Sequence, residues 1–574
     1  MNIFYENEKK ITDLIKKNKK NLGLNQLSDF KGINVEIPPS DFDCDLSCNA
    51  CLVLGKINKV NPIELANKVK ILIINEIKDF ASVDVAGPGF LNFKLNKEYL
   101  LKNINKILEN RNDYGKKLSN NNYNIEFVSA NPTGPMHVGH CRGAIYGDVL
   151  ANLLKFNGNK VTKEYYINDY GNQIINFTKS VFLRIREIKY NEKFLNNQDL
   201  YPGEYIIEIG KKIINSNKKH EFNNFEKCFK MLKEESLKHS MDLIKNDLKN
   251  LGIKHDIFFS ETDLVDKNLV KEAVKKLQND NYVKEGYLEP PKGELGKSWK
   301  KTKRLIFKSS LFGDDVDRAI QKNDGAWTYF ANDVAYHMDK INRKHKYLIN
   351  VLGADHTGYI KRITAAVKAL SNNQVILNCK VCQLVKLYKD GKPFKMSKRA
   401  GDFISVKDLL NEVDKDSIRF MMLNRSHDVE LDFDFNKILE KSKDNPVFYV
   451  QYSFARINSL FNSVGKNLQD NISLNINNFN LNEIESKILR KVLEWPKIIE
   501  TASIKYEPHK IPYFLYELAT LFHSYWSKGN SDPNFKFIVN GKIKSESTLT
   551  IISLVALVTQ IGMKILGVTL PKKM

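Results

Sequence analysis

Residues 123–156, YNIEFVSANPTGPMHVGHCRGAIYGDVLANLLKF, constrain the fold more than any other stretch of this chain. They open as a short strand over 124–129, break at Asn131-Pro132-Thr133-Gly134-Pro135, and continue as a long helix entered through His137-Val138-Gly139-His140. A loop and a helix N-terminus at the carboxyl end of a buried strand is where open α/β sheets bind ligands. The helix end offers unpaired backbone N–H groups and a partial positive charge, both suited to phosphate. His137 and His140 are three residues apart and share a helix face. Gly139 has no side chain, so a flat base or ribose can lie against its backbone.

Other segments repeat this strand-exit pattern. Residues 163–173 read as a strand turning into a helix, and 256–262 as a strand delivering Glu261 at its end. A hairpin around Asn323-Asp324-Gly325 precedes a helix starting near Tyr329. A short apolar strand over 347–352 exits at Gly353-Ala354-Asp355-His356, polar groups suited to a ribose or adenine. The competing reading of Asp355 and His356 is an ordinary helix cap. Far downstream, after a turn at Asp390-Gly391-Lys392-Pro393, comes Lys395-Met396-Ser397-Lys398-Arg399-Ala400-Gly401. Such a run is by itself a common solvated surface, but a lysine pair in a glycine-flanked loop can also close over a triphosphate.

These elements divide the chain into three expected domains. Residues 1–112 form a small α+β unit, with a helix from about Leu46 and two strands, 82–86 and 90–95, joined at Ala86-Gly87-Pro88-Gly89. Residues 113–443 form the α/β domain. Its helix-rich, lysine-heavy stretch of about 176–300, including a loop at 290–297, reads as an insertion. Residues 444–574 are aromatic and read as wholly helical, with Phe514, Leu518, Leu521, Phe522, Tyr525 and Trp526 at helical spacing.

A formal net charge of +22 points to a polyanionic partner such as nucleic acid, although lysine and asparagine are abundant throughout. The N-terminus lacks the apolar core of a signal peptide, and its acidic residues argue against a transit peptide. The most apolar run, 549–568, is interrupted by Ser553, Thr559, Gln560 and Lys564 and reads as a buried bundle helix rather than a membrane span. A cytoplasmic protein with no membrane partner is the expectation. Seven cysteines do not suggest a disulfide framework. The pairs Cys48/Cys51 and Cys379/Cys382 lack the flanking glycines and further ligands of a zinc site, so no structural zinc is expected.

The pattern strand–NPTGPxHxGH–helix resembles the HIGH signature of class I aminoacyl-tRNA synthetases. The wider wording, EFVSANPTG followed by HVGHCRGAIYGD, resembles the arginyl-tRNA synthetase family, and Lys-Met-Ser-Lys resembles its KMSKS loop. The resemblance covers nearly the whole chain. It implies a multidomain α/β protein: a Rossmann-like nucleotide-binding catalytic domain with an insertion, an N-terminal α+β domain touching the tRNA elbow, and a C-terminal all-α anticodon-binding bundle. It implies a monomer that uses ATP, accompanied by Mg²⁺, to convert L-arginine to arginyl-AMP and then charge tRNA(Arg). His137, His140, Lys395 and Lys398 would be catalytic, with Gly139, Gly353, Asp355, His356, Met396 and Ser397 holding ATP. Arginine would fall to Ser129 and Asn131 at its α-amino end and to Glu261, Tyr329 and Asp333 at its side chain.

The chemistry agrees with that assignment. The substrate carboxylate is itself the nucleophile, so no Ser or Cys nucleophile is needed. A guanidinium is best held by carboxylates accepting paired hydrogen bonds. The opposing reading has Asp333 paired with a lysine such as Lys340 and Glu261 capping a helix. Some members of the family carry a lysine at the position of Gly134 and lack the second loop lysine; this chain has the reverse. Two alternatives remain at this stage: another class I synthetase such as the cysteinyl enzyme, or a non-catalytic RNA-binding relative.

Overall fold

A computed structural model describes residues 2–25, 30–39, 41–195, 197–288, 302–394, 404–468 and 479–574. Contacts divide the chain into two compact units, one of residues 118–440 with 566–568, the other of 1–117, 441–565 and 569–574.

The first unit is built on a five-stranded sheet. In chain order its strands are β1 (Asn122–Glu126), β2 (Lys160–Ile167), β3 (Ile257–Ser260), β4 (Tyr347–Gly353) and β5 (Ile376–Cys382), arranged β5-β4-β1-β2-β3. All four pairings are parallel. All carboxyl ends therefore lie along one edge, with the topological switch beside β1. β1 stops short of the expected 124–129. Val128 and Ser129 take φ of 73° and 41°, which carries the chain out of the sheet.

β3 also corrects the expected insertion. It pairs with β2, Glu164 opposite Ile257, and so belongs to the main sheet. The helix-rich expectation holds before it: helices Asn172–Tyr190, Glu204–Ser216 and Phe225–Asn250 share a core that includes Phe177, Val181, Ile206, Ile209 and Leu232. After β3 come a further helix, Leu269–Asn279, and a three-stranded antiparallel sheet. The expected loop at 290–297 lies outside the described residues.

The signature helix, Val138–Phe156, is buried along most of its length, Arg142 and Asp148 included. Its one buried acid, Asp148, meets Lys163 Nζ at 2.6 Å and Arg419 Nη2 at 2.6 Å. Burial pushes the Asp148 carboxyl up, but the two cations outweigh that and hold it below its usual range. Arg419 also donates to the carbonyls of Leu251 and Leu566, each at 2.9 Å, so the buried guanidinium is well provided with acceptors.

The helix closely approaches the chain leaving β1 at Gly147, where an added Cβ would lie 2.3 Å from Phe127 Cγ, a contact the ring must move to relieve. Gly147→Ala should therefore destabilise the unit by about 1–3 kcal/mol, the typical effect of overpacking. A lowered denaturation midpoint with an unchanged slope checks this. A midpoint at or above wild type means that the ring yields freely.

The second unit joins both ends of the chain. Its N-terminal part has an antiparallel four-stranded sheet in the spatial order Val35–Glu36, Leu46–Cys48, Phe90–Leu95, Phe80–Ala86. The helix expected from Leu46 begins at Ala50 instead, because Leu46–Cys48 pairs with the Phe90–Leu95 strand. The other cysteine pair lies in β5, as expected from the apolar stretch around it. Burial raises the thiols of Cys48, Cys51, Cys379 and Cys382 to about 12. Tyr114 and Trp495 interlock across the unit. The tyrosine hydroxyl donates to Val492 O at 2.9 Å, and the indole N–H to Tyr114 O at 3.1 Å.

Among the described residues the C-terminal part has four long helices, Pro446–Ser463, Glu483–Lys505, Lys510–Ser531 and Glu546–Leu566. The last is long and apolar enough to cross a membrane, yet 83% of its most apolar stretch is buried in the protein. The region is not wholly helical. Strands Ile538–Val539 and Lys542–Ile543 form a hairpin whose turn, Asn540-Gly541, has φ of 50° and 73°, the left-handed pair an Asn-Gly turn supplies.

Candidate active site

The carboxyl edge of the parallel sheet gathers several of the expected site residues. Val128–Asn131 leaves β1, Asn168 and Asp169 leave β2, Glu261 follows β3, and Gly353–His356 leaves β4.

At the centre, His137 is the N-cap of the signature helix. Its Nδ1 accepts from Gly139 N at 3.1 Å, while His140 Nδ1 accepts from His137 N at 3.3 Å. The rings stack with centroids 3.8 Å apart. With both Nδ1 atoms accepting, the neutral tautomers carry their protons on Nε2. Burial lowers both pKa values, that of His140 to about 3. The pair is thus neutral at pH 7 and offers N–H donors rather than charge. Gly139 leaves no room for a side chain, since an added Cβ would lie 2.9 Å from the His137 ring.

Backbone bonds tie this helix entrance to the segment that follows the lysine loop. Val138 N donates to Ile404 O at 2.9 Å, and Val406 N to Met136 O at 3.0 Å. Before the loop, the Asp390-Gly391 turn is present, with φ of 53° and 70°, and Phe394 N donates to Leu387 O at 2.8 Å. Lys395, Met396, Ser397 and Lys398 themselves lie outside the described residues.

A cluster of carboxylates, Glu126, Asp169, Glu261 and Asp333, surrounds Tyr166. Glu261 is the first residue of a short helix, Glu261–Asp266, whose N-cap is Ser260. Its side chain is buried. Oε1 accepts from Asn332 Nδ2 at 2.8 Å, and Oε2 accepts no hydrogen bond among the described residues. Asp333, in the helix Tyr329–Asn342, accepts from the Tyr359 hydroxyl. Burial raises the pKa of Glu261, and burial with Glu126 and Glu261 nearby pushes that of Asp333 up to about 7. Asp333 does not pair with Lys340; that lysine reaches Glu126 at 2.6 Å.

The remaining expected residues are spread along the same edge. Ser129 Oγ donates to Glu126 Oε1 at 3.1 Å, and Asn131 exchanges hydrogen bonds with Asn168 and Gln173, each at 3.0 Å. Tyr329 opens its helix and is 70% exposed. Gly353 ends β4, and beyond it Asp355 and His356 are exposed and face each other at 3.4 Å. Glu126, Tyr166, Asn332 and Tyr359 are not singled out by the sequence, and Lys340 only as a partner for Asp333. Glu126, at the end of β1, carries a usable signal: an acid at the strand's carboxyl end, three residues before Ser129.

Comparison with known families decides the assignment. Residues 103–462 match the model for the catalytic domain of class I (R) tRNA synthetases, 450–574 the DALR anticodon-binding domain, and 9–95 the arginyl-tRNA synthetase N-terminal domain. The chain belongs to the arginyl-tRNA synthetases of class I. It is 54% identical to the arginine–tRNA ligase of Pelagibacter ubique and 43% identical to that of Bartonella bacilliformis, in each case over the full length of both chains. Its fold matches a crystal structure from Campylobacter jejuni assigned to arginyl-tRNA synthetase, with a TM-score of 0.72 and 32% identity over 84% of this chain and all of that one. The Thermus thermophilus arginyl-tRNA synthetase, at 18% identity, shares the fold with a TM-score of 0.74 over 99% of this chain and all of its own.

In this synthetase the position that bears lysine in some relatives is occupied by Gly134, and the space above it is filled. An added Cβ would lie 2.9 Å from Tyr205, whose hydroxyl donates to Thr133 O at 2.9 Å. A side chain here would have to displace that ring.

Proposed function

We propose that the Glu261–Asp333 cluster receives the guanidinium of arginine, while Ser129 and Asn131 hold its α-amino end. The enzyme is an arginine–tRNA ligase. The carboxylate of arginine attacks the α-phosphorus of ATP and expels pyrophosphate; the terminal adenosine of the tRNA then takes the arginyl group and releases AMP. One observation carries the pocket assignment: neither Glu261, which is buried, nor Asp333, which is half-buried, forms an ion pair among the described residues. Buried acids without a cation are costly unless a ligand supplies one. A guanidinium is always charged and offers a planar fork of donors, which suits it to that place.

The phosphate end falls to the histidines. Neutral Nε2–H groups at a helix N-terminus can donate to an α-phosphate without binding it as tightly as a charge would. Lys395 and Lys398 serve the departing pyrophosphate, with Met396 and Ser397 in the same loop. Gly353, Asp355 and His356 serve the nucleoside. Mg²⁺ enters with ATP and is held by phosphate and water. The partner is tRNA(Arg), drawn by the basic surface and contacted by both the N-terminal segment and the C-terminal helices. The enzyme works as a cytoplasmic monomer with no membrane partner.

The carboxyl that titrates near 7 gives this reading a test. Arginine must meet Asp333 ionised, so its binding should weaken as pH falls through about 7, approaching tenfold per unit. In ATP–pyrophosphate exchange, kcat/KM for arginine should show an acid limb near pH 7, and the KM for ATP should follow it far less. An arginine profile flat from pH 8 to 6 would remove Asp333 from the pocket.

A further inference from the structure

Behind the pocket runs a polar chain that the chemistry above does not use. Lys340 is fully buried. Its ammonium donates to Glu126 Oε2 at 2.6 Å and Asn350 Oδ1 at 3.4 Å, and lies 4.2 Å from the centre of the Tyr336 ring. Glu126 and Asn350 are register partners on the adjacent strands β1 and β4, so the lysine bridges that pair.

The chain continues in both directions with consistent donors and acceptors. On one side, Asn350 Nδ2 lies 3.0 Å from His337 Nε2, and His337 Nδ1 lies 2.8 Å from the backbone carbonyl of Asp333. A carbonyl can only accept, so Nδ1 carries the proton and Nε2 accepts from the amide. Burial keeps this histidine neutral, its pKa lowered to about 3. On the other side, Glu126 Oε1 accepts from Ser129 Oγ, which itself accepts from Tyr166 N, each at 3.1 Å. An unbroken relay thus runs from the backbone of Asp333 to the hydroxyl of Ser129.

The two ends of that relay are the two ends of the arginine pocket. Asp333 and Lys340 are seven residues apart on one helix, about two turns and therefore on one face. The far end is strained: Val128 and Ser129 both adopt left-handed backbone. For a β-branched residue and a serine in succession, that conformation persists only where the surroundings over-determine it.

We propose that Lys340 is a positioning residue that sets the length of the arginine pocket, by fixing the strained Val128–Ser129 backbone relative to the helix bearing Asp333. This rests on placing arginine between those two ends. The consequence is discrimination by chain length. A guanidinium and an α-amino group held at a fixed separation accept arginine and reject homoarginine, which is one methylene longer.

The test is ATP–pyrophosphate exchange in the presence of tRNA, with arginine and homoarginine, on the full-length enzyme. Lys340→Met keeps the volume and removes the donor. Asn350→Leu breaks the relay at another link and leaves the lysine–glutamate pair in place, so it carries the test if the first variant does not fold. Each should raise the KM for arginine, about tenfold or more in Lys340→Met, with the KM for ATP within twofold. The preference for arginine over homoarginine should shrink by a similar factor. Wild-type preference in folded Lys340→Met and Asn350→Leu overturns the proposal, as does an equal rise in both KM values, which marks general loosening. Failure of the pocket reading itself looks different, because Asp333→Asn would then still activate arginine.

Discussion

Replacing Asp333 with asparagine should all but abolish arginine activation while leaving ATP binding near normal. The change keeps the size of the side chain and its acceptor toward the Tyr359 hydroxyl, so the helix should be undisturbed. What it removes is the negative charge facing the guanidinium. Truncating one partner of an enclosed, hydrogen-bonded charge pair typically costs about 2–5 kcal/mol, a loss of about 10²–10³ in kcat/KM for arginine at the middle of that range. The adenylate motifs lie on other segments, so the KM for ATP should move little. The acid limb near pH 7 should also vanish, because the titrating group is gone. Arginine activation within a few-fold of wild type would take Asp333 out of the pocket.

The second large effect is expected at Lys398. As pyrophosphate leaves, negative charge builds on the bridging and terminal oxygens, and an ammonium placed there binds the transition state better than the ground state. Removing one such donor costs about 3–4 kcal/mol, or about 10²–10³ in rate. Lys398→Ala should lower kcat for exchange by that factor with little change in the KM for arginine. No lysine stands at position 134 to compensate, because the site is glycine and Tyr205 fills the space above it. A variant with normal kcat and a raised KM for ATP would mean that the lysine contributes uniform binding instead.

What the sequence made legible was local. The break at Asn131–Pro135, the helix entered at His137 and the turns at Asp390-Gly391 and Asn323–Gly325 are written in glycine, proline and asparagine, residues whose backbone preferences act without a partner. The strand exits that assemble the candidate site follow from them. Pairing was harder to read. Residues 257–260 look the same in sequence whether they form a strand of an insertion or the edge of the main sheet, and only register with β2 decides. Val128 falls inside the expected strand over 124–129, and its β-branched side chain gives no sign of the reversal; contacts from Tyr166 and Glu126 to the next residue help hold it. The sequence offers Lys340 as a nearby partner for Asp333, yet seven residues span two turns, and the carboxylate it meets is Glu126 on β1. Long-range electrostatics of this kind leaves no spacing signal.

The central claim is that paired carboxylates at the exits of a parallel sheet select a guanidinium for adenylation. The most direct measurement is ATP–pyrophosphate exchange with each amino acid in turn, tRNA present throughout. The account predicts exchange with arginine and background rates with lysine, because an ammonium cannot satisfy acceptors set for a planar fork. Lysine or cysteine supporting exchange at a rate comparable to arginine would contradict it.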